Sequence, residues 1–122
     1  FFDTIGLFRV LTAEQKLLVK TWLDILDLTA CEHKLFRTMS RGQQRLALLG
    51  RALIKAPPML VLDEPCQGLD EDQTAAFISI VDSICIEFGT TLIYLSHYVS
   101  DLPSVISKYL CLENGRTVSG YP

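Results

Sequence analysis

The sequence predicts an α/β fold in which helices flank a parallel sheet, with a helical segment in front of it. Two short apolar runs, residues 59–62 and 90–95, have the length and composition of buried strands, and a stretch with helical periodicity separates them. A third apolar run follows at residues 109–112. The order strand, helix, strand, helix, strand is typical of a parallel sheet covered by helices. The first 38 residues carry no strand pattern, so we expect them to form a separate helical layer.

The composition is that of a folded protein of about one domain. The 122 residues are 49% hydrophobic and 20% charged, which is too apolar for a disordered segment. Eleven basic against fourteen acidic residues give a net charge of −3, which excludes a general electrostatic grip on nucleic acid but leaves a local basic patch open. No apolar run approaches the roughly 18 residues of a membrane span, so we expect no direct membrane insertion.

The start of the chain and its cysteines bear on where the protein works. The chain begins at Phe1 without a methionine, a basic segment or a signal-type apolar stretch, so we expect it to be a piece of a longer protein. The cysteines lie far apart and form no Cys-x-x-Cys pair, which argues against both a zinc site and a disulfide framework. We expect reduced, mostly buried cysteines in a cytoplasmic protein; they are Cys31, Cys66, Cys85 and Cys111.

Two capping patterns predict where helices start in the first half of the chain. Thr12 is followed by Gln15, and apolar residues then recur at helical spacing up to Leu28. Ser40 is followed by Gln43 in the same way, and leucines mark one face of the next helix. A pair of prolines ends that second helix just before the first predicted strand.

The second half of the chain alternates helices and strands. Asp70 predicts the start of a third helix, which Gly89 should end, and a short helix is expected over residues 99–106. Asn-Gly at residues 114–115 is a hairpin signal that joins the third strand to a short one at residues 116–119. These elements predict two units: a helical subdomain, residues 1–56, and the C-terminal part of an α/β core, residues 57–122.

Two adjacent carboxylates, Asp63 and Glu64, follow the first predicted strand. In open α/β sheets, ligands bind at the carboxyl ends of the strands, which is where these side chains fall. Asp63 has the chemistry to hold Mg²⁺, directly or through water, and Glu64 has the chemistry to orient a water that attacks a phosphoryl group. A strand that simply ends in two solvated acids is the alternative for this pair taken alone.

The predicted helix N-terminus at Ser40 is a second candidate site. Free backbone N–H groups and a positive potential suit a helix N-terminus to anions. Ser40, Gly42 and Gln43 add donors there without blocking the approach of a ligand. An ordinary N-cap is the commoner meaning of Ser-x-x-Gln by itself.

His97 directly follows the second predicted strand, and it reaches the same sheet edge as Asp63 if the two strands are neighbours. An imidazole at that edge can donate a hydrogen bond to a phosphate oxygen. A lone histidine at a strand end is otherwise more often a polar surface residue. Asp70, in the turn before the third helix, indicates by itself only an N-cap.

The order of these segments resembles the C-terminal half of the nucleotide-binding domain of ABC-type ATPases. The resemblance covers residues 38–109, and five ordered motifs together are highly specific. The matching segments are residues 39–43, similar to the family's signature motif, with Arg-Ala-Leu at 51–53 in the same helix; residues 59–63, similar to the Walker B strand, followed by Glu-Pro; residues 68–70, similar to the D-loop; and residues 95–97, similar to the switch-histidine segment.

This resemblance implies a P-loop NTPase-like fold and a set of roles. Asp63 would bind Mg²⁺, Glu64 would activate the attacking water, and His97 would contact the γ-phosphate of ATP. In the family the signature works in a head-to-tail sandwich of two domains, where it contacts ATP bound on the opposite domain. The residues implied to bind ATP are Ser40, Gly42 and Gln43 of the signature and Asp70 of the D-loop.

Within the family, residues 1–7 and 67–70 look most like the tandem-domain ATP-binding proteins of molybdate transport and photorepair. The chain departs from the family pattern at two places. Arg41 stands at the first glycine of the signature, where it adds bulk and charge beside the phosphate site. Cys66 and Gln67 stand where the family usually has leucine and serine, which leaves the packing of the D-loop open.

One family motif is missing from the sequence. No glycine is followed by lysine anywhere in the chain, so the phosphate-binding pattern G-x-x-x-x-G-K-[ST] is absent. Without that loop there is no backbone cradle for the β-phosphate and no lysine to neutralise it. We therefore expect this chain alone to be inactive, and the parent protein to bind and hydrolyse ATP with Mg²⁺.

The expected function of the parent is ATP hydrolysis that energises transport, with molybdate as the solute that the subfamily resemblance implies. Expected partners are the missing N-terminal half of the domain, a second nucleotide-binding domain and a membrane permease at the inner face of the membrane. Two alternatives stay open. A DNA-repair ATPase would usually carry cysteine pairs or coiled-coil insertions, which the chain lacks, whereas a translation-associated or regulatory ABC protein would share all these motifs.

Overall fold

A computed structural model describes residues 11–121 of the chain. The elements in this part are the helices α1 (Ala13–Ile25), α2 (Arg41–Leu53) and α3 (Glu71–Phe88), and the strands β1 (Met59–Asp63), β2 (Thr91–Leu95), β3 (Tyr109–Glu113) and β4 (Arg116–Tyr121). Single 3₁₀ turns lie at Thr29–Cys31, Phe36–Thr38 and Val99–Asp101. The α/β class that the sequence predicts is confirmed. None of the helices in this part has the length and hydropathy of a membrane span.

The helices begin where the capping patterns predict. Thr12 caps α1 and Ser40 caps α2, each in a reciprocal capping box with the glutamine three residues on. Asp70 caps α3, where its carboxylate accepts a hydrogen bond of 2.8 Å from the Gln73 backbone N–H. At the other end of α3, Gly89 adopts the left-handed conformation, with a φ of 63°, that favours glycine after a helix.

Helix α1 ends at Ile25, earlier than the apolar periodicity predicts. Asp27 has a φ of 52°, which turns the chain out of the helix. The turn directs Leu26 and Leu28 into the core, where both are almost completely buried. Gly50 in α2 makes room for Leu26, because a Cβ at that position would lie 2.6 Å from the Leu26 Cδ1. Burial of the two leucines therefore explains the early end of the helix.

One core joins the helices and the inner face of the sheet. Its buried members are Leu26, Leu28, Cys31, Leu49, Leu53, Leu60, Cys66, Phe77, Val81, Ile84 and Cys85. Three of the four cysteines are thus buried, all four are free thiols, and Cys111 is exposed, as the sequence predicts. This core takes residues from both predicted units, and the division at residues 56 and 57 stays a prediction.

The parallel sheet of the described residues pairs β1 with β2, and the buried strands that the apolar runs predict are buried on one face only. In β1 only Leu60 is fully buried, whereas Met59 is 51% and Val61 57% exposed. The helices cover one face of the sheet, so side chains alternate between a packed face and an open face. The register pairs Asp63 with Leu95, which sets the two strand ends side by side.

The third strand does not extend the parallel sheet, which corrects the sequence prediction. Instead β3 pairs with β4 as an antiparallel hairpin in a separate sheet. Asn114 and Gly115 form its turn with φ values of 50° and 73°, as the Asn-Gly signal predicts. The helix expected over residues 99–106 is only the turn Val99–Asp101, because Asp82 accepts the backbone N–H groups of Ser104 and Val105 that a helix would need.

Candidate functional site

The carboxyl end of the parallel sheet holds Glu64 in an unusual conformation. Glu64 follows β1 directly, and its backbone N–H donates a hydrogen bond of 3.0 Å to the Leu95 carbonyl at the end of β2. Its φ of 44° lies in the left-handed region, which residues other than glycine rarely adopt. Such conformations persist when the surroundings hold them, and they cluster at functional sites.

The structure brings Glu64 and His97 together. His97 lies just beyond β2, and its Nε2 is 2.6 Å from the Glu64 Oε1. The imidazole is 79% exposed and the carboxylate 33% exposed, so both groups can reach a molecule that arrives from solvent. This contact sets a carboxylate and a hydrogen-bond donor side by side at the sheet edge where α/β proteins bind their ligands.

A cleft of about 450 Å³ opens at this pair, between the loops that follow β1 and β2. Glu64, Asp70 and His97 line it, so three of the predicted site residues share one cavity. Among the other lining residues, Thr74, Tyr98, Ser100 and Asp101 were not predicted as site residues. They lie in loops or at a helix start, and their spacing carries no motif that could have identified them.

Asp63 is placed apart from this cleft. It is the exposed last residue of β1 and does not line the cavity. Among residues 11–121, no group of three or more His, Cys, Asp and Glu side chains is arranged to hold a metal ion. Mg²⁺ is usually bound by one or two carboxylates that share it with water and substrate phosphates. An exposed carboxylate at a strand end has the chemistry for that role.

The signature residues lie at the start of α2, outside the cleft. The Ser40 hydroxyl oxygen accepts from the Gln43 N–H at 3.2 Å, and the Gln43 Oε1 accepts from the Ser40 N–H at 3.0 Å. The cap uses these oxygens as acceptors, so the hydroxyl proton and the amide nitrogen can still donate to a ligand. Gly42 faces Gln73, since a Cβ at residue 42 would lie 3.5 Å from the Gln73 Cδ. The first turns of α2 and α3 are therefore neighbours.

Two arginines of α2 reach the loop that follows Glu64. A Cβ at Gly68 would lie 3.0 Å from the Arg41 Nη1, and the Arg45 guanidinium donates a long hydrogen bond of 3.5 Å to the Gln67 carbonyl. Arg41 thus lies against the D-loop glycine, whose φ of 80° also favours glycine. Sequence analysis gave Arg45 no role, although its spacing of four from Arg41 places both on one helix face.

A side-chain contact at the wall of the cleft, which Cys66 lines, was not predicted from the sequence. The Cys66 Sγ lies 3.2 Å from the Tyr94 hydroxyl, a distance at which either group can donate. Burial raises the pKa of the Cys66 thiol despite this hydrogen bond, and burial also raises the pKa of the Tyr94 phenol. Both groups are therefore protonated at neutral pH. The only signal in the sequence is the alternation of β2, which places Tyr94 on the inner face with Leu92.

The chain is similar to several known proteins. Residues 3–67 match the model of a protein family described as "ABC transporter". The ABC transporter ATP-binding protein ModF of Escherichia coli (strain K12) is 41% identical over 111 residues, which cover 90% of this chain and 23% of ModF. The thiamine import ATP-binding protein ThiQ of Yersinia pestis is 33% identical over 106 residues, or 87% of this chain and 45% of ThiQ. The chain therefore spans less than half the length of these relatives.

Solved structures show the same fold. MJ1267, an ATP-binding cassette of an ABC transporter, superposes with a TM-score of 0.86 at 23% identity over 94% of this chain and 45% of MJ1267. The bacterial ABC transporter cassette MJ0796, solved as a dimer, gives a TM-score of 0.77 at 19% identity over 98% of this chain and 59% of MJ0796. The start of the chain, which carries part of the subfamily resemblance, lies outside the described residues.

Proposed function

Because the chain belongs to the ABC transporter family, we propose that it forms the C-terminal part of a nucleotide-binding domain that binds and hydrolyses ATP in its full-length protein. The observation that carries the proposal is the contact of 2.6 Å between Glu64 and His97 at the carboxyl end of the parallel strands. A solvated acid pair at a strand end needs no such partner, whereas a base for water activation must be held in place.

In this proposal Glu64 is the general base. Its carboxylate takes a proton from a water as the water oxygen bonds to the γ-phosphorus of ATP, and the bond to the β–γ bridging oxygen breaks to release ADP. His97 holds the Glu64 carboxylate through Nε2 and donates to a γ-phosphate oxygen when ATP is bound. Mg²⁺, held by Asp63, would offset the negative charge of the phosphates.

The start of α2 serves a second nucleotide in this proposal. Ser40, Gly42 and Gln43 present donors at a helix N-terminus that packs beside the start of α3, where Asp70 is exposed. Ser40, Gly42 and Gln43 do not line the cleft of Glu64, so we assign these three residues to ATP bound on an opposing domain. The dimeric arrangement of the similar cassette MJ0796 supports such a partner.

The open face of the sheet supports a further partner. Met59, Val61, Ile93 and Leu95 are each about half exposed, although all four are apolar. We propose that the N-terminal half of the same domain, which would also supply the phosphate-binding loop, packs on this face.

The energy of hydrolysis would drive transport through a membrane permease, with the protein on the cytoplasmic side. ModF is named as a transporter ATP-binding protein and ThiQ as a thiamine import protein, so the solute differs among relatives. We propose molybdate, because of the subfamily resemblance in the sequence. Uptake of radiolabelled molybdate and thiamine by cells that lack the full-length protein tests this choice; a defect in thiamine uptake alone would contradict it.

The ATPase proposal is tested on two proteins, the full-length one and the present 122-residue chain. Calorimetry with MgATP and a phosphate-release assay should show binding and steady turnover by the full-length protein and neither by the chain. Absence of turnover in the full-length protein would contradict the proposed function. Micromolar binding or turnover by the chain alone would contradict its proposed inactivity, which rests on the missing phosphate-binding loop.

A further inference from the structure

Strand β2 and the segment directly after it contact the loop of Glu64 at three points, and one of these contacts has no role in the reaction described above. The Leu95 carbonyl accepts from the Glu64 backbone N–H, and His97 contacts the Glu64 carboxylate. The third point is the Tyr94 hydroxyl, which lies 3.2 Å from the thiol of Cys66, two residues beyond Glu64. Residues 94, 95 and 97 therefore hold the thiol of Cys66 and the backbone and carboxylate of Glu64, all within one short loop.

Cys66 anchors this loop to the core of the protein. It is only 6% exposed and belongs to the core that contains Phe77, Val81 and Ile84 of α3. Two backbone hydrogen bonds of 3.1 Å, from Gln67 to the Glu64 carbonyl and from Leu69 to the Cys66 carbonyl, close the turns on either side. A buried thiol between a strand and a helix thus fixes the middle of the loop.

The left-handed conformation of Glu64 depends on the residues that hold the loop, among them Cys66. A left-handed φ at a residue with a side chain is unfavourable, so the loop would relax if its surroundings allowed it. Rotation about the N–Cα bond of Glu64 would change the direction of its side chain and move the carboxylate relative to His97. The anchor at Cys66 opposes the rotation because it fixes the chain on the far side of Glu64.

We propose that Tyr94 is a positioning residue, which acts through its hydrogen bond to Cys66 to hold the Glu64 carboxylate against His97. The proposed reaction assigns neither Tyr94 nor Cys66 a contact with the reacting atoms. The inference rests on the proposed function, since it assigns these residues to the geometry of the same base.

The experiment compares variants of the full-length protein in steady-state ATP hydrolysis. Tyr94→Phe keeps the ring and removes the hydroxyl, and Cys66→Val fills the thiol's space without a hydrogen-bonding group. Each should lower kcat about tenfold or more with little change in KM, because small misplacement of a catalytic group is costly in rate. Cys66→Ser retains a donor and acceptor and should keep kcat within about twofold of the unsubstituted protein.

Three further measurements separate positioning from general packing. The double variant Tyr94→Phe with Cys66→Val should be no slower than either single variant, because the two substitutions remove the same hydrogen bond. Cys85→Val, at a buried cysteine of α3 that does not line the cleft, is the matched control and should leave kcat unchanged. Crystal structures of the single variants should show the Glu64 carboxylate displaced from His97.

The outcomes distinguish this inference from the function on which it rests. If the unsubstituted full-length protein does not hydrolyse ATP, the proposed function fails and the inference fails with it. If that protein is active and Tyr94→Phe or Cys66→Val retains full kcat, only the inference is overturned. It is also overturned if the losses in kcat are additive, or if Cys85→Val lowers kcat to the same extent.

Discussion

The helical core and the outer face of the parallel sheet use the same kinds of side chain and differ completely in packing. Leu49, Leu53, Phe77, Val81 and Ile84 are each at most 3% exposed between α2, α3 and the sheet. On the opposite face, Met59 and Val61 of β1 and Ile93 and Leu95 of β2 are between 45% and 57% exposed. Apolar composition therefore fixes which residues can be buried, and the available neighbours determine which of them are buried in this chain.

Each region also carries one part of the proposed chemistry. The packed helices present the capped N-terminus of α2, whereas the sheet edge presents Glu64 and His97. The first part is held by a well-filled core, and the second by a few hydrogen bonds from β2. The two parts should therefore respond differently to substitution.

Among substitutions in the helical region, we expect the largest loss of ATP hydrolysis at the start of α2. In the full-length protein, Ser40→Arg should retain normal nucleotide affinity but block ATP-driven closure of the two domains and strongly reduce hydrolysis. The long side chain would crowd the helix N-terminus that we propose contacts the opposing nucleotide, while loss of an N-cap alone costs only about 1 kcal/mol. Nucleotide binding, closure by small-angle scattering and phosphate release are the measurements.

Arg41→Gly is the matched control for that substitution, since it removes the neighbouring cation and should preserve activity. A Ser40→Arg protein that only melts at a lower temperature, with unchanged closure and turnover, would show that Ser40 is an ordinary N-cap.

A pair of alanine substitutions compares the two faces directly in this chain. Phe77→Ala should cost about 3–5 kcal/mol of unfolding free energy, because it opens a cavity in the core. Val61→Ala should cost less than about 1 kcal/mol, because half-exposed side chains lose little on truncation. Denaturant unfolding measures both values. If the outer face of the sheet is covered in the full-length protein, Val61→Ala should lower the unfolding free energy more in that protein than in this chain. An equal loss in the two proteins would argue against a covered face.

A smaller effect concerns Asp82, which ties residues 104 and 105 to α3. Partial burial by itself would raise the Asp82 pKa, but hydrogen bonds from the backbone of Ser104 and Val105 and from the Ser104 hydroxyl lower it below 3.8. A lowered pKa in the folded state means that the ionised carboxylate stabilises the fold above that pH and stops doing so as the pH falls through the folded-state value.

Asp82→Asn should therefore cost about 1 kcal/mol at pH 7, since a partly exposed carboxylate loses its charge and one acceptor. The difference from the unsubstituted chain should shrink once the pH falls below about 4. Thermal unfolding at pH 7 and pH 3 measures it. A difference of the same size at both pH values would mean that the charge of Asp82 does not contribute.

Most of the local structure could be predicted from the sequence, because it depends on neighbours along the chain. Thr12, Ser40 and Asp70 cap their helices as predicted, and the Asn-Gly turn forms the hairpin. The pairing of β3 and the single covered face of β1 could not be predicted, because both depend on partners distant in sequence.

In the candidate site, too, some features could be predicted from the sequence and others could not. Strand ends and spacing predicted that His97 would reach the sheet edge beside the acid pair, and the structure brings it to Glu64. The contact of Tyr94 with Cys66, and the approach of Arg41 to Gly68, join segments more than 25 residues apart. Such contacts leave no pattern in a single sequence, so only the structure reveals them.

The rate of ATP hydrolysis by full-length protein carrying Glu64→Gln decides whether Glu64 is the general base. Glutamine has nearly the same shape but cannot take a proton from water, so turnover should fall about a hundredfold or more. ATP binding should persist, and the closed form of the two domains should accumulate because bound ATP is no longer consumed. An unchanged rate of phosphate release would contradict the account, since Glu64 would then not be the base.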